Sequence, residues 1–183
     1  VRTWLYYTLL RCEKLTGEKP WSEAWVMGYG LDEKGMKMSK SKGNALDPLP
    51  VIQKSGADTF RFWSASEINQ GYDFRCSEQK IESTKKFLSK LWNVSRFLSS
   101  FPIIESGKLT DSDKWILSEL DKLISVCNEG YSKYNFFIPA TALREFTWNI
   151  FAAQYIEMAK ARAYGIGFSD DCLLYTSPSP RDS

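Results

Sequence analysis

The residues best equipped for chemistry stand together in one polar stretch, "MKMSKSKGN" at 36–44, followed at once by "ALDP". Lys37, Lys40 and Lys42 put three ammonium point charges on it, Ser39 and Ser41 add hydroxyl donors, and Gly43 adds backbone freedom. That combination suits a polyphosphate, because mobile cations can follow negative charge as it moves during bond breaking. It is not a Walker loop, since GxxxxGK[ST] is absent, nor a dinucleotide fingerprint, since GxGxxG is absent. Charge alone leaves two plainer alternatives open: a solvated basic turn and a localisation-type basic cluster.

The rest of the composition excludes other chemistries. The 183 residues contain no histidine, so His-based acid–base catalysis, His-dependent triads and His metal ligands are ruled out within them. Cys12, Cys76, Cys127 and Cys172 are isolated, with no C-x-x-C pair. That fits free thiols in a reducing cytosol, not a disulfide frame or a zinc site, so no metal ligands are expected. Lys and Arg total 24 against 22 Asp and Glu, so a nucleic-acid or membrane claim must come from a local patch. No run of 18 apolar residues occurs and no charged-then-apolar leader opens the chain. Neither a membrane span nor a signal peptide is expected, and a cytoplasmic location is. With 43% hydrophobic and 15% aromatic residues, a packed core is expected in one ordinary domain or two small ones.

Three kinds of element must position the lysine stretch. The opening "VRTWLYYTLLRCEKLTG" is helical, with Trp4, Leu5, Thr8, Leu9 and Cys12 on one face. "AWVMGYGL" at 24–31 reads as a short buried strand, "DEKG" at 32–35 as a turn, and "MKM" at 36–38 as a short returning strand. Asp47-Pro48 is a helix start, with Asp as the cap and Pro at the first helical position, and Gly56 ends that helix. A second short helix covers 57–66, with Phe60 and Trp63 on one side. Long amphipathic helices follow. One runs from Ser77 towards Pro102 with Ile81, Leu88, Leu91, Trp92, Ser95 and Leu98 in helical register. One starts near Asp111 with a stripe of Ile116, Leu120, Leu123, Cys127 and Tyr134, and one starts near Pro139 and holds Leu143, Ile150, Phe151, Tyr155 and Met158. Three such helices with short connections make a bundle. The expected layout is an α/β piece at 1–47, a helical connector at 48–75, a helix bundle at 76–168 and a Ser/Pro-rich tail at 169–183 outside the fold. The α/β piece is incomplete, and loops leaving the ends of parallel strands are where such sheets bind ligands.

The order of residues narrows the choice. Residues 37–41, "KMSKS", resemble letter for letter the signature of class I aminoacyl-tRNA synthetases. The likeness continues through "GADTFRFW", "FLSKLWNVSRF" and "YIEMAKARAYG", and so covers essentially residues 1 to 168. Within the class, "SKLWNVSRF" and "QYIEMAKARAYG" most resemble the valyl enzymes, of an archaeal kind, over the isoleucyl or leucyl ones. The resemblance implies that the α/β piece is the carboxyl-side part of a Rossmann-like nucleotide-binding fold, and that the whole is a ligase that activates L-valine with ATP, accompanied by Mg2+, and transfers it to a valine tRNA. It implies that Lys40 holds the triphosphate and stabilises charge on departing pyrophosphate, with Lys37 as its helper. Ser39 and Ser41 would donate to phosphates, Met38 would pack near the adenine, and Gly28 would let the backbone approach the adenosine. Arg2 and Trp4 fall near the amino-acid pocket in the family, although a helix-face Trp equally suits a core. The family's His-rich ATP motif has no counterpart here, and neither has its editing domain; both would lie upstream of Val1. The 183 residues alone are therefore expected not to aminoacylate.

In the family the connector carries the tRNA past the catalytic fold and the bundle reads the anticodon. Lys80, Lys85, Lys86, Lys90 and Arg96 lie on or near one side of the helix from Ser77, and Lys160 and Arg162 close the last helix. These cations suit phosphates as well as a solubilising face. Trp92, Trp115 and Trp148 can stack on bases, but their helical positions point to core packing. Asp73 and Arg75, between connector and bundle, either pair or touch the tRNA stem. A tRNA-binding relative without catalysis, and a purely structural helical module, complete the alternatives.

Overall fold

The computed structural model describes residues 3–101 and 108–166. Helix α1 (Trp4–Thr16) opens it and stops at Gly17, whose left-handed φ of 72° lets its N–H reach back to the Glu13 carbonyl. After it come strand β1 (Gly30–Leu31), one 3-10 turn (Lys40–Lys42), helices α2 (Pro48–Ser55) and α3 (Ala57–Glu67), and strand β2 (Phe74–Arg75). Then follow α4 (Glu78–Leu98), α5 (Asp111–Ser132), α6 (Phe137–Glu145), a π-helical stretch (Phe146–Tyr155) and α7 (Ile156–Ala163). Among the described residues no helix is long and apolar enough to cross a membrane.

The α/β part is smaller than the sequence suggests. β1 and β2 pair in parallel, Gly30 opposite Phe74 and Leu31 opposite Arg75. Of the strand expected over 24–31, only Gly30–Leu31 forms a ladder, and Met27 adds a lone antiparallel bridge to Gln70. Trp25, Val26 and Met27 are exposed, because no described strand pairs with that stretch or covers it. The returning strand at 36–38 shrinks to a bridge between Lys37 and Leu31. Gly28 has a physical reason to be glycine: a Cβ there would collide with the backbone of Tyr72 and Asp73.

The helical expectations hold more closely. The Asp47 side chain accepts from Leu49 N–H at 3.0 Å with Pro48 at the first position, and α2 ends at Gly56 with φ 91°. Trp63 is 2% exposed and forms a first core with Cys76 and Ile81, against which Met38, Leu46, Val51, Phe60 and Phe74 pack. A second core joins Val94, Ala152 and Ile156, with Phe97 and Phe151 against them. Several expectations fail: Leu91, Leu98 and Leu120, named on apolar stripes, are exposed. Tyr134 lies beyond the end of α5 in a left-handed turn, φ 53°, and is exposed, so it is not part of that helix's stripe. Met158 faces solvent, off the face that buries Ile156 and Ala159. Trp92 is 67% exposed, because α4 buries Ile81, Thr84, Phe87 and Val94 and Trp92 stands off that stripe. Trp148, partly exposed, stacks against Phe87 instead.

One ion pair fastens the start of α5 to α7. The Arg162 guanidinium donates to both carboxylate oxygens of Asp113, one at 2.8 Å, and both side chains are buried. Tyr155 Oη donates to the same carboxylate at 2.9 Å, and Thr110 donates through its N–H and hydroxyl. Burial pushes the Asp113 carboxyl up, yet these donors, Arg162 first, hold it well below the ordinary carboxylate range. Arg162 is thus not a free cation for phosphate, contrary to its position at the end of a basic helix. A buried guanidinium needs a fixed acceptor, and Asp113 provides it.

Candidate functional site

The lysine loop is built on a tight hairpin. Asp32 N–H donates to the Met36 carbonyl at 2.8 Å and Gly35 N–H donates to the Asp32 carbonyl at 2.9 Å, closing the "DEKG" turn. Asp at the first and Gly at the fourth turn position is the favoured chemistry, and Gly35 takes a φ of 80° there. The Asp32 Oδ1 atom accepts from the N–H groups of Lys34 at 3.0 Å and Met36 at 2.8 Å. Its Oδ2 accepts from Asn44 Nδ2 at 2.9 Å. The Asn44 amide, followed by the Met36 N–H, holds the Asp32 carboxyl below its ordinary range.

Asn44 closes the loop on itself. Its Oδ1 accepts from Ser39 N–H at 3.0 Å, and its Nδ2 also donates to the Lys37 carbonyl at 3.3 Å. Residues 40–42 form the 3-10 turn, and Gly43 ends it with a φ of 68° and an N–H to the Lys40 carbonyl. Met38 does not project into open space. Its N–H donates to the Gly30 carbonyl at 3.0 Å, and its side chain lies against Gly30 and the first core. It acts as the anchor of the loop.

The charged groups point the other way. Lys37 Nζ sits 3.7 Å over the centre of the Tyr29 ring, a cation–π contact that holds the ammonium without neutralising it. Lys40 and Lys42 are exposed, and no carboxylate pairs with either among the described residues. Ser39 Oγ and Ser41 Oγ stand 3.2 Å apart and share one hydrogen bond. Lys37, Ser39, Lys40, Ser41 and Lys42 therefore sit on one short ordered loop, rich in donors and fixed at both ends. Such a set can hold several anionic oxygens and shift with them.

The other site residues lie apart. Arg2 lies outside the described residues. Trp4 is exposed and stacks on Trp21, ring centroids 5.7 Å apart. Gly28 serves the approach of the Tyr72–Asp73 backbone, and the Asp73 carboxylate accepts from Tyr29 N–H at 2.7 Å. Asp73 is thereby engaged with β1's entry, and the Arg75 guanidinium lies against Gly35. Asp32 and Asn44 have no role in the sequence reading, though Asp at the head of a turn was a signal for the first.

Comparison with known proteins now adds to this geometry. Residues 1–77 match the family described as tRNA synthetases class I (I, L, M and V), and residues 113–177 match the anticodon-binding domain of tRNA ligase. Similar curated proteins are a valine–tRNA ligase of Aeropyrum pernix, 42% identical over 90% of this chain and 20% of its own length. Another is that of Pyrobaculum aerophilum, 44% identical over 90% of this chain and 21% of its length. The valine–tRNA ligase of Bacillus thuringiensis subsp. konkukian is 39% identical over 88% and 19%. The chain thus spans about a fifth of the length of these relatives. Among solved structures it resembles the LeuRS of Agrobacterium radiobacter K84 in its complex with tRNA and LeuAMS, TM-score 0.65 at 18% identity, over 84% of this chain and 20% of that one. It also resembles Mycobacterium tuberculosis methionyl-tRNA synthetase bound by methionyl-adenylate, TM-score 0.60 at 20% identity, over 80% and 30%. At such identities these two show the fold. A lysine loop of this order, seated beside a parallel strand pair and followed by a helix bundle, agrees with both family matches: the chain belongs to the class I aminoacyl-tRNA synthetases.

Proposed function

We propose that the chain is the lysine-loop and helical part of a valine–tRNA ligase, which joins L-valine to ATP as valyl-adenylate and passes the valyl group to a valine tRNA. The observation that carries this is the loop itself: an ordered turn, clamped by Asn44, that leaves Lys40 and Lys42 without carboxylate partners among the described residues. The choice of valine is supported by the relatives' names. The tRNA partner is supported by the anticodon-binding match and by the tRNA in the LeuRS complex.

In adenylation the valine carboxylate forms a bond to the α-phosphorus while the bond to the pyrophosphate oxygen breaks. Negative charge grows on the departing pyrophosphate. Lys40, exposed at the head of the 3-10 turn, neutralises it, and Lys37 assists from its seat on Tyr29. The Ser39 and Ser41 hydroxyls, now bonded to each other, can turn to phosphate oxygens. Mg2+ arrives with ATP as part of the substrate; the loop's cations and hydroxyls fit phosphate oxygens and not a metal ion. Met38 anchors the loop on the first core, beside the place where the adenine would lie. The 183 residues hold no histidine, so the His-rich ATP motif that the family resemblance implies is not among them, and these residues alone are expected not to catalyse adenylation.

The test is valine-dependent ATP–pyrophosphate exchange. In the complete parent enzyme Lys40→Ala is expected to lower the exchange rate by roughly 10²–10³, the range for losing one preorganised transition-state donor, with tRNA affinity unchanged. Equal losses of both would make RNA binding the loop's task. Exchange that runs as well with isoleucine as with valine would remove the valine assignment.

A further inference from the structure

A carboxylate beside a lysine loop weakens the pull of its cations on an anion, so Asp32 needs a reason to stand there. Among the described residues no lysine or arginine pairs with it. Both of its oxygens go to amide donors instead: Oδ1 to the N–H groups of Lys34 and Met36, Oδ2 to Asn44 Nδ2 at 2.9 Å. The carboxylate is thus occupied in placing Asn44, and the loop lysines keep their charge.

A side-chain amide has two unlike ends, one that donates and one that accepts. Asn44 Nδ2 faces two acceptors, Asp32 Oδ2 and the Lys37 carbonyl, the latter at 3.3 Å. Its Oδ1 accepts from Ser39 N–H at 3.0 Å. Turned over, the amide would set its oxygen against two oxygens and its NH2 against an N–H. The carboxylate makes that arrangement the costlier, because it is charged and only accepts. Asp32 therefore fixes the direction of a relay that ends at Ser39. There the backbone is held on both sides, its N–H by Asn44 and its carbonyl by the Lys42 N–H at 3.2 Å. The 3-10 turn starts from Ser39, and Lys40 is its first member.

We propose that Asp32 is a positioning residue for adenylation: by setting which way the Asn44 amide faces, it fixes the Ser39 peptide and so the direction in which Lys40 leaves the loop. The proposal deepens the function above and rests on it. In this role Asp32 touches neither ATP nor valine and acts two hydrogen bonds away. The relay depends on complementary partners more than on either side chain alone. In Asp32→Asn two amide donors meet, or the Asn44 amide turns over, and in both cases the Ser39 bond is disturbed. In Asp32→Asn/Asn44→Asp the new amide at 32 donates to the new carboxylate at 44, whose second oxygen still accepts from Ser39 N–H. Only the Lys37 carbonyl goes without a partner.

The experiment follows a single turnover of valyl-adenylate formation in the complete parent enzyme. Its rate constant reads positioning, and its amplitude reads the folded fraction. Asp32→Asn is expected to lower the rate constant at least about 10-fold, within the roughly 100-fold that an ångström of misplacement can cost, with full amplitude. The exchanged pair is expected to return to within about twofold of wild type, since only the longest of the Asn44 bonds is not remade. On a Lys40→Ala background Asp32→Asn is expected to add less than about twofold, because residues that act as one unit are not additive. A Lys40→Ala enzyme with the wild-type rate constant would end the adenylation reading of the loop and this proposal with it. If Lys40→Ala is slow, that reading stands and the proposal alone is overturned by any of four results. These are Asp32→Asn at the wild-type rate constant, a loss confined to the amplitude, an exchanged pair as slow as Asp32→Asn, and a loss that multiplies in full with that of Lys40→Ala.

Discussion

Arg162→Met is expected to strip Asp113 of its charged partner while keeping most of the side-chain volume. Among the described ion pairs this one has both side chains buried, 4% and 7% exposed. Breaking such a pair from one side costs about 3–5 kcal/mol, because the other charge stays behind uncompensated. Tyr155 Oη and Thr110 N–H still donate to Asp113, at 2.9 and 2.8 Å, so the lower end applies, about 3 kcal/mol. For a chain of this size that is a fall in Tm of roughly 6–12 °C. The pH dependence carries a sign. In the wild type the folded Asp113 carboxyl titrates below its unfolded value, so its stabilisation is complete above about pH 4 and is lost as pH falls through the lowered folded value. Arg162 is the largest of the influences that lower this carboxyl, so without it the folded carboxyl titrates higher than in the wild type, and the variant's deficit is greatest at pH 7 and shrinks as pH falls towards 4 and below. Adding Asp113→Asn removes the stranded charge and should restore most of the loss at pH 7. Thermal and urea unfolding at both pH values measure this. A cost under about 1 kcal/mol at pH 7, or a gap that does not narrow on acidification, would refute the assignment of a buried, charged pair.

Two further outcomes probe the loop and its seat. Asn44→Ala removes the bond to Ser39 N–H; a neutral bond of that kind is worth about 1 kcal/mol, roughly fivefold in the open population. Limited trypsin digestion followed by mass spectrometry should show cleavage after Lys40 and Lys42 rising at least about fivefold, with cleavage after Lys122 as the unchanged reference; equal rates would show that the clamp does not order the loop. Gly28→Ala should break the β1–β2 junction, since its Cβ would meet the Tyr72 carbonyl. Loss of slow amide exchange at Phe74 and Cys76, whose N–H groups donate to Tyr29 and Leu31, would register it; unchanged exchange would mean that the backbone yields at little cost.

How much was legible depended on the range of each interaction. Asp47, Pro48 and Gly56 announced α2 because a cap, a fixed φ and a left-handed stop act within one turn. Ile81, Phe60 and Trp63 announced the first core through helical spacing. Trp92 shares that helical pattern yet faces out, because periodicity finds an apolar side but not the partner that covers it. Arg162 looked like a surface cation because its acceptor, Asp113, lies 49 residues away. Gly28 was read as making room for a ligand, and its nearest neighbour is the chain's own backbone at Tyr72. The lysines of the loop were legible from their order, while the Asp32–Asn44 clamp spans 12 residues of a loop and leaves no periodic trace.

The arrangement of anchor and clamp explains why so few residues of the loop are free. Met38 packs on the core that also holds Trp63, Phe74 and Ile81, so the root of the loop shares its packing with the connector and with the first turns of α4. Interiors at crystal-like density leave little slack, and this root moves only if that core does. From the other end Asn44 grips Ser39 N–H, the Lys37 carbonyl and the Asp32 carboxylate. Between anchor and clamp the 3-10 turn and its Gly43 stop are held only by bonds within the loop, and they carry two of the three lysines and one of the two hydroxyls. The adenylation we propose would use this division: a base fixed well enough to aim the cations, and a short tip that can follow the charge at small entropic cost. Lys37, held over Tyr29, belongs to the fixed part, and Lys40 to the tip. The two lysines are therefore not equivalent in placement, and in the adenylation we propose the exposed Lys40 carries the larger share of stabilisation of the leaving group.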